Sequence, residues 1–169
     1  ISGHSFNHVR PLTQSVEEFK LDSTKLLVEL KENFPLLFPD ETLDSIWIAK
    51  INNPDEQELF QETQKKYNSL LHIEEELSKL FKHIKHYNPT FLAPDVITIL
   101  SNIDYTYRTI YTDNLLFISL DVYLGDDHPF YSDYPSYIRK NNTDERIVVD
   151  VASNIINSTI SFSNNRSFL

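Results

Sequence analysis

The feature that most constrains this chain is a change of hydrophobic period at Pro89–Pro94. Before it, apolar residues recur three and four apart, the spacing that lines one face of an α-helix. After it they alternate or run together, as in half-buried and fully buried strands. Helices first and strands second point to an α+β fold, with helices segregated against a sheet rather than interleaved with its strands. The expectation is one domain over 1–169, helical over 13–88 and sheet plus helix over 95–160.

In the helical half, residues 1–12 have no period and read as an extended lead-in. Ser15-Val-Glu-Glu18 is a capping box. Val16, Phe19, Ser23, Leu26, Leu27 and Leu30 then follow at helical spacing, and Pro35 stops the helix. Phe34, Leu36, Leu37 and Phe38 form an apolar turn that plugs the core. Asp40 is placed to cap a short helix carrying Leu43, Ile46, Trp47 and Ile51, which Asn52-Asn53-Pro54-Asp55 ends. A long helix is predicted from Pro54 to Tyr87, kinked near Asn68. Acidic residues lead it (Asp55, Glu56, Glu58) and basic ones trail (Lys79, Lys82, Lys85), as the helix dipole favours.

In the second half, Val96-Ile-Thr-Ile-Leu100 is β-branched and reads as a strand. Tyr105 to Tyr111 alternates and predicts a second strand. Leu115 to Leu120 is apolar enough to be buried on both faces and predicts a third. Thr112-Asp113-Asn114 supplies the turn of a hairpin between the last two. The sheet is therefore expected to be small and mainly antiparallel, with a closing helix over about 144–159 bearing Ile147, Val148, Val151, Ile155 and Ile156.

Composition narrows the chemistry. Fifteen basic against 25 acidic residues give a formal charge of −10, which argues against nucleic acid and against an anionic membrane surface as partners of the folded body. With no cysteine there are no disulfides, thiolate metal sites or thiol nucleophile. The two glycines, Gly3 and Gly125, cannot build a phosphate-cradling loop or a nucleophile elbow. Nothing approaches the run of about 18 apolar residues that spans a bilayer. No cofactor is called for. The sequons at Asn141, Asn157 and Asn165 are the chance product of an Asn-rich chain.

His4 and His8 stand four apart, and His83 and His86 three apart with His72 and Glu76 nearby. Such spacing would suit a metal in a helix, but His4 and His8 read as part of a ragged terminal loop and His72, His83 and His86 as a solvated helix flank. The densest group of oxygen ligands is Asp121, Asp126, Asp127, His128 and Asp133, but the ordered spacing of a helix–loop–helix calcium site is absent. Seven of the nine tyrosines lie between Tyr105 and Tyr137. The Tyr/Asp-rich segment from Asp121 to Ile138 is either a binding surface or a packed Ω-loop. Its candidate interaction residues are Asp121, Tyr123, Gly125, Asp126, Asp127, His128, Tyr131, Tyr134 and Tyr137; Tyr123 and Leu124 alternatively continue the third strand into the core.

Leu-Phe-Ile-Ser-Leu-Asp-Val-Tyr-Leu-Gly (116–125), Phe130-Tyr131, Tyr134-Pro-Ser-Tyr-Ile138 and Glu145-Arg-Ile-Val-Val-Asp150 together resemble the GldB family, gliding motility lipoproteins of Bacteroidetes. The resemblance implies a non-enzymatic, lipid-anchored cell-envelope component. Such a protein supports gliding and the associated secretion machinery through contacts with its envelope proteins, and its anchor lies upstream of Ile1. It also implies a chain that is the N-terminal part of a longer family member. The family further resembles zinc-dependent proteases, whose helix after the sheet bears His-Glu-x-x-His. The corresponding register here, Asp150-Val-Ala-Ser-Asn154, puts Asp150 and Asn154 at the ligand positions and Val151 where the base belongs. That motif is degenerate, so the fold is expected to be zincin-like without its chemistry. The alternative is a metal-dependent protease, or an inactive remnant of one, drawing ligands from Asp150, Asn154 and His128.

Overall fold

The computed structural model of the chain describes residues 10–11, 27–28, 31–32, 38–39, 41–112 and 114–161. Its elements are strand β1 (Arg10–Pro11), helices α1 (Asp44–Ile51), α2 (Pro54–Lys66) and α3 (Leu71–Tyr87), strands β2 (Asp95–Ile99), β3 (Thr109–Thr112) and β4 (Leu115–Ser119), and helices α4 (Ser136–Arg139) and α5 (Glu145–Ser161). Leu27–Val28 and Lys31–Glu32 are also helical. The fold is α+β, with the change of period falling where the sequence puts it. The capping box at Ser15, the His4/His8 pair, Asp40 and the turn at Phe34–Leu37 lie outside the described residues.

The sheet is mixed rather than mainly antiparallel, in the order β1-β2-β4-β3. β3 and β4 do form the expected antiparallel hairpin, with Ile110 opposite Phe117. β2, however, runs parallel to β4, with Val96 opposite Leu116 and Ile97 opposite Phe117. The reason lies in β4: Leu116, Phe117 and Ile118 are all buried, so this strand needs cover on both faces and neighbours on both edges. The chain leaves β2, passes over the place β4 will take, forms β3 at the edge, and turns back into the gap. The extended lead-in also pairs, Arg10 and Pro11 lying parallel to Ile97 and Thr98, so a strand precedes residue 90 where none was expected.

Two further expectations are corrected. The helix over Pro54–Tyr87 is two helices, not one kinked helix. Tyr67 leaves helical geometry at φ −102°, ψ 48°, and the Ser69 hydroxyl accepts the Leu71 N–H at 3.4 Å to start α3. Small polar side chains of this kind compete with the helical ladder. Each helix keeps its own charge gradient: Asp55 and Glu56 to Lys65 and Lys66 in α2, Glu74 to Lys85 and His86 in α3. The strand expected over Tyr105–Tyr111 starts only at Thr109. The Asp104 carboxylate accepts the Thr106 N–H at 2.9 Å and winds Tyr105–Tyr107 into a 3-10 turn.

α3 and α5 lie together against one face of the sheet. Ile73, Leu77 and Phe81 of α3 and Ile147, Val151 and Ile155 of α5 close on Val96, Leu116 and Ile118. These positions on β4 alternate, so Phe117 and Ser119 point to the opposite face. On that side stand Trp47 of α1 and Phe60 and Thr63 of α2.

Candidate functional site

The Asp121–Ile138 segment is a packed Ω-loop with an exposed rim. It begins in a 3-10 turn at Leu120–Val122, passes a second at Pro129–Tyr131 and ends in α4. Asp121, Tyr123 and Tyr131 are fully buried, which removes them from the expected contact surface. Burial does not stop at the end of β4: through the 3-10 turn and on to Leu124 every side chain lies in the core.

Asp121 is spent on the backbone opposite it. Its carboxylate accepts the Ser101 N–H at 3.1 Å and the Ile103 N–H at 2.6 Å. Burial pushes its pKa above the usual aspartate range, and these N–H donors offset only part of that rise. The turn it holds contains two residues in the left-handed region, Asn102 and Ile103, both at φ 59°. Asn tolerates that region; a β-branched Ile does so only when its surroundings compel it.

Tyr131 closes the loop on itself. Its hydroxyl donates to the Asp121 carbonyl at 2.6 Å and accepts the Leu124 N–H at 2.9 Å. Tyr123 ties the loop to α5, donating to Asp150 Oδ2 at 3.0 Å, while the Arg146 guanidinium holds the other oxygen at 2.9 Å. Tyr67, at the α2–α3 break, donates to the Tyr123 carbonyl at 2.6 Å. Burial raises the pKa of all three phenols, with Asp144 adding to the rise at Tyr67 and Asp150 at Tyr123. Arg108 stacks over the Tyr123 ring and donates to the Asn141 carbonyl and to Asn142 Oδ1. Gly125, at φ 125°, sits where a side chain is strained, and its N–H reaches the Asn142 carbonyl at 2.8 Å.

The rim is different. Asp126 and Asp127 are exposed and Tyr137 is 70% exposed. Tyr134 is half-buried, edge-on to Tyr105, with its hydroxyl on the Ile103 carbonyl. His128 is half-buried against Phe130 and Tyr131, with Nε2 3.7 Å from Glu62.

Asp150 and Asn154 face inward as structural links, not as an open ligand pair. Asp150 is held by Tyr123 and Arg146, and Asn154 Nδ2 donates to the Thr109 carbonyl at 2.6 Å. His72, His83 and His86 are exposed on α3. Among the described residues there is no group of three or more His, Asp or Glu side chains able to hold a metal.

The sequence did not single out Tyr67, Arg108 or Asn142. Their partners lie 15 or more positions away, Tyr123 for Arg108 and Gly125 for Asn142 being the nearest of those described above, and the only hints were an Arg within a Tyr/Thr run and an Asn just before a helix start.

The model of the gliding motility protein GldB family matches residues 7–169, nearly the whole chain and including this loop. The chain belongs to the GldB family. Its role is therefore in gliding motility, and the family's label is that of a lipoprotein. No curated protein and no solved structure matches the chain. In this GldB-family chain the segment that carried the resemblance, Leu116–Gly125, is the strand and turn that bind the two helical layers together. No helix among the described residues is long and apolar enough to cross a membrane.

Proposed function

We propose that the chain is a non-enzymatic component of the cell envelope that supports gliding, and the secretion machinery linked to it, through protein contacts. A lipid anchor joins it to a membrane, a reading that the family's lipoprotein label supports. The observation that carries the proposal is the division of labour within the Asp121–Ile138 segment. Its buried members, Asp121, Tyr123 and Tyr131, are committed to intramolecular hydrogen bonds, which leaves no free acid–base pair among them. Its exposed members, Asp126, Asp127 and Tyr137, stand on the rigid platform those bonds create. Tyrosine is favoured in protein contacts because it buries much area at little entropic cost.

The test is a complementation experiment in gliding cells with the full-length protein. Asp126→Asn, Asp127→Asn and Tyr137→Ala, combined, are expected to leave the melting temperature and the cellular level unchanged and to abolish colony spreading. Normal spreading by this variant overturns the assignment of the contact surface. Stoichiometric zinc in the purified protein after chelator washing overturns its non-enzymatic character.

A further inference from the structure

The rim of the Asp121–Ile138 loop carries a belt of aromatic rings. Ring contacts run without a break from Tyr105 to Tyr134, with centroids 5.4 Å apart, and on to the buried Tyr131 at 6.4 Å. From Tyr131 they continue to His128 at 5.7 Å and from there to Phe130 at 5.1 Å. Tyr105 is exposed, and Tyr134, His128 and Phe130 are half-buried, so the belt shows ring surface to solvent on either side of its buried centre.

The charge along this belt is one-sided. From Ser101 to Ile138 the acidic residues are Asp104, Asp113, Asp121, Asp126, Asp127 and Asp133, and the one Lys or Arg is Arg108. Arg108 is turned into the fold, bonded to Asn141 and Asn142, and Asp121 is buried. Asp104 precedes Tyr105, Asp126 and Asp127 precede His128, and Asp133 precedes Tyr134. Among the described residues no Lys or Arg forms an ion pair with any of these four carboxylates. Glu62 adds its charge beside His128, with Lys65 3.5 Å from it. Carboxylates without counter-charges draw cations toward them. Carboxylates alone accept any cation, but exposed rings distinguish among them: a guanidinium stacks flat on an aromatic face while its fork bonds an oxygen, which an ammonium does less well. The fold already contains that arrangement, Arg108 lying 5.6 Å from the Tyr123 ring centre while it donates to Asn142 Oδ1 at 2.6 Å.

We propose that the protein docking on this rim presents a basic, arginine-bearing segment, whose guanidinium groups stack on the exposed rings and bond Asp126, Asp127 and Asp133. The proposal rests on the reading of the rim as a contact surface and adds the chemistry of what meets it. The formal charge of −10 acts in the same direction, since it repels a second copy of this chain or any other acidic partner.

The test uses fluorescein-labelled hexa-arginine, titrated with the purified chain at physiological salt and read by anisotropy. Asp126→Asn, Asp127→Asn and Asp133→Asn, combined, are expected to weaken binding by about tenfold. Glu74→Gln, Glu75→Gln and Glu76→Gln, combined, remove the same charge from α3 and are expected to change it by less than about twofold. Hexa-lysine is expected to bind the parent about threefold more weakly than hexa-arginine, a preference that Tyr105→Leu with Tyr137→Leu removes. In the unmodified chain, hexa-arginine is expected to slow hydrogen exchange over 126–138 and not in α3, a readout that needs no variant to fold. Equal weakening by the two triple variants, or protection no greater over 126–138 than in α3, overturns the basic partner. Equal binding of the two peptides overturns the choice of arginine. If the contact-surface variant described above still abolishes spreading while hexa-arginine binding is not localised to the rim, the contact surface stands and its basic partner falls; normal spreading overturns both.

Discussion

The Asp121 carboxylate accepts the Ile103 backbone N–H at 2.6 Å, and Ile103 is held at φ 59°, a conformation its β-branched side chain opposes. The same carboxylate takes the Ser101 N–H, so one side chain at the end of β4 satisfies the backbone of the turn that leaves β2. Without it those donors are unpaired and nothing compels the turn. Asp121→Ala is therefore expected to destabilise the fold by about 2–4 kcal/mol, since several hydrogen bonds to a buried carboxylate are lost at once. A lowered urea midpoint with an unchanged slope checks this.

Tyr131 and Tyr137 lie six positions apart in one loop, and they separate core from rim. Tyr131→Phe leaves the Asp121 carbonyl and the Leu124 N–H unpaired in the interior, at a cost of about 2–3 kcal/mol. Tyr137→Phe, at a position 70% exposed, is expected to stay within about 0.5 kcal/mol of the parent. Chemical denaturation of the two variants side by side measures the contrast.

Stability should fall steeply in alkali. Tyr67, Tyr123 and Tyr131 all have pKa values raised by burial above the ordinary value of 10.0. Between that value and the raised one, the native state holds protons that the unfolded chain has released. Their contribution is thus fully present below pH 10 and is lost above it, by up to about 1.4 kcal/mol per pH unit for each tyrosine. A pH jump to 12 followed at 295 nm is expected to show an immediate phase from the exposed phenols and a slower phase for these three. The slower phase should coincide with loss of helical circular dichroism.

Asn154 links α5 to the edge strand, its Nδ2 lying 2.6 Å from the Thr109 carbonyl and 3.1 Å from Thr109 Oγ1. Asn154→Ala is expected to cost about 1–2 kcal/mol by leaving that carbonyl without its partner. Hydrogen exchange should report faster opening of β3 and α5 and little change in α2, where a metal-ligand role for Asn154 would leave β3 unaffected.

Local rules determined much of this protein from the sequence. The two periods meeting at Pro89–Pro94 placed the helices and strands, because burial of one face requires period 3.6 in a helix and 2 in a strand. The hairpin at residue 114 followed from turn chemistry, which acts over three or four residues. The resemblance of Leu116–Gly125 to one family was also legible, and the family match over residues 7–169 bears it out. What the tertiary structure alone decided are the relationships at long range. β4 inserts beside β2 in parallel because its two apolar faces need cover, and no local signal sets the order of strands. Asp121 and Tyr131 were expected on a contact surface and Tyr123 either there or in the core, yet all three bond within the protein: Asp121 to Ser101 and Ile103, Tyr123 to Asp150 across the fold, and Tyr131 to Leu124 and the Asp121 carbonyl within its own loop. A polar side chain declares what it can bond to, but only packing decides whether that partner is water, another protein or the chain itself.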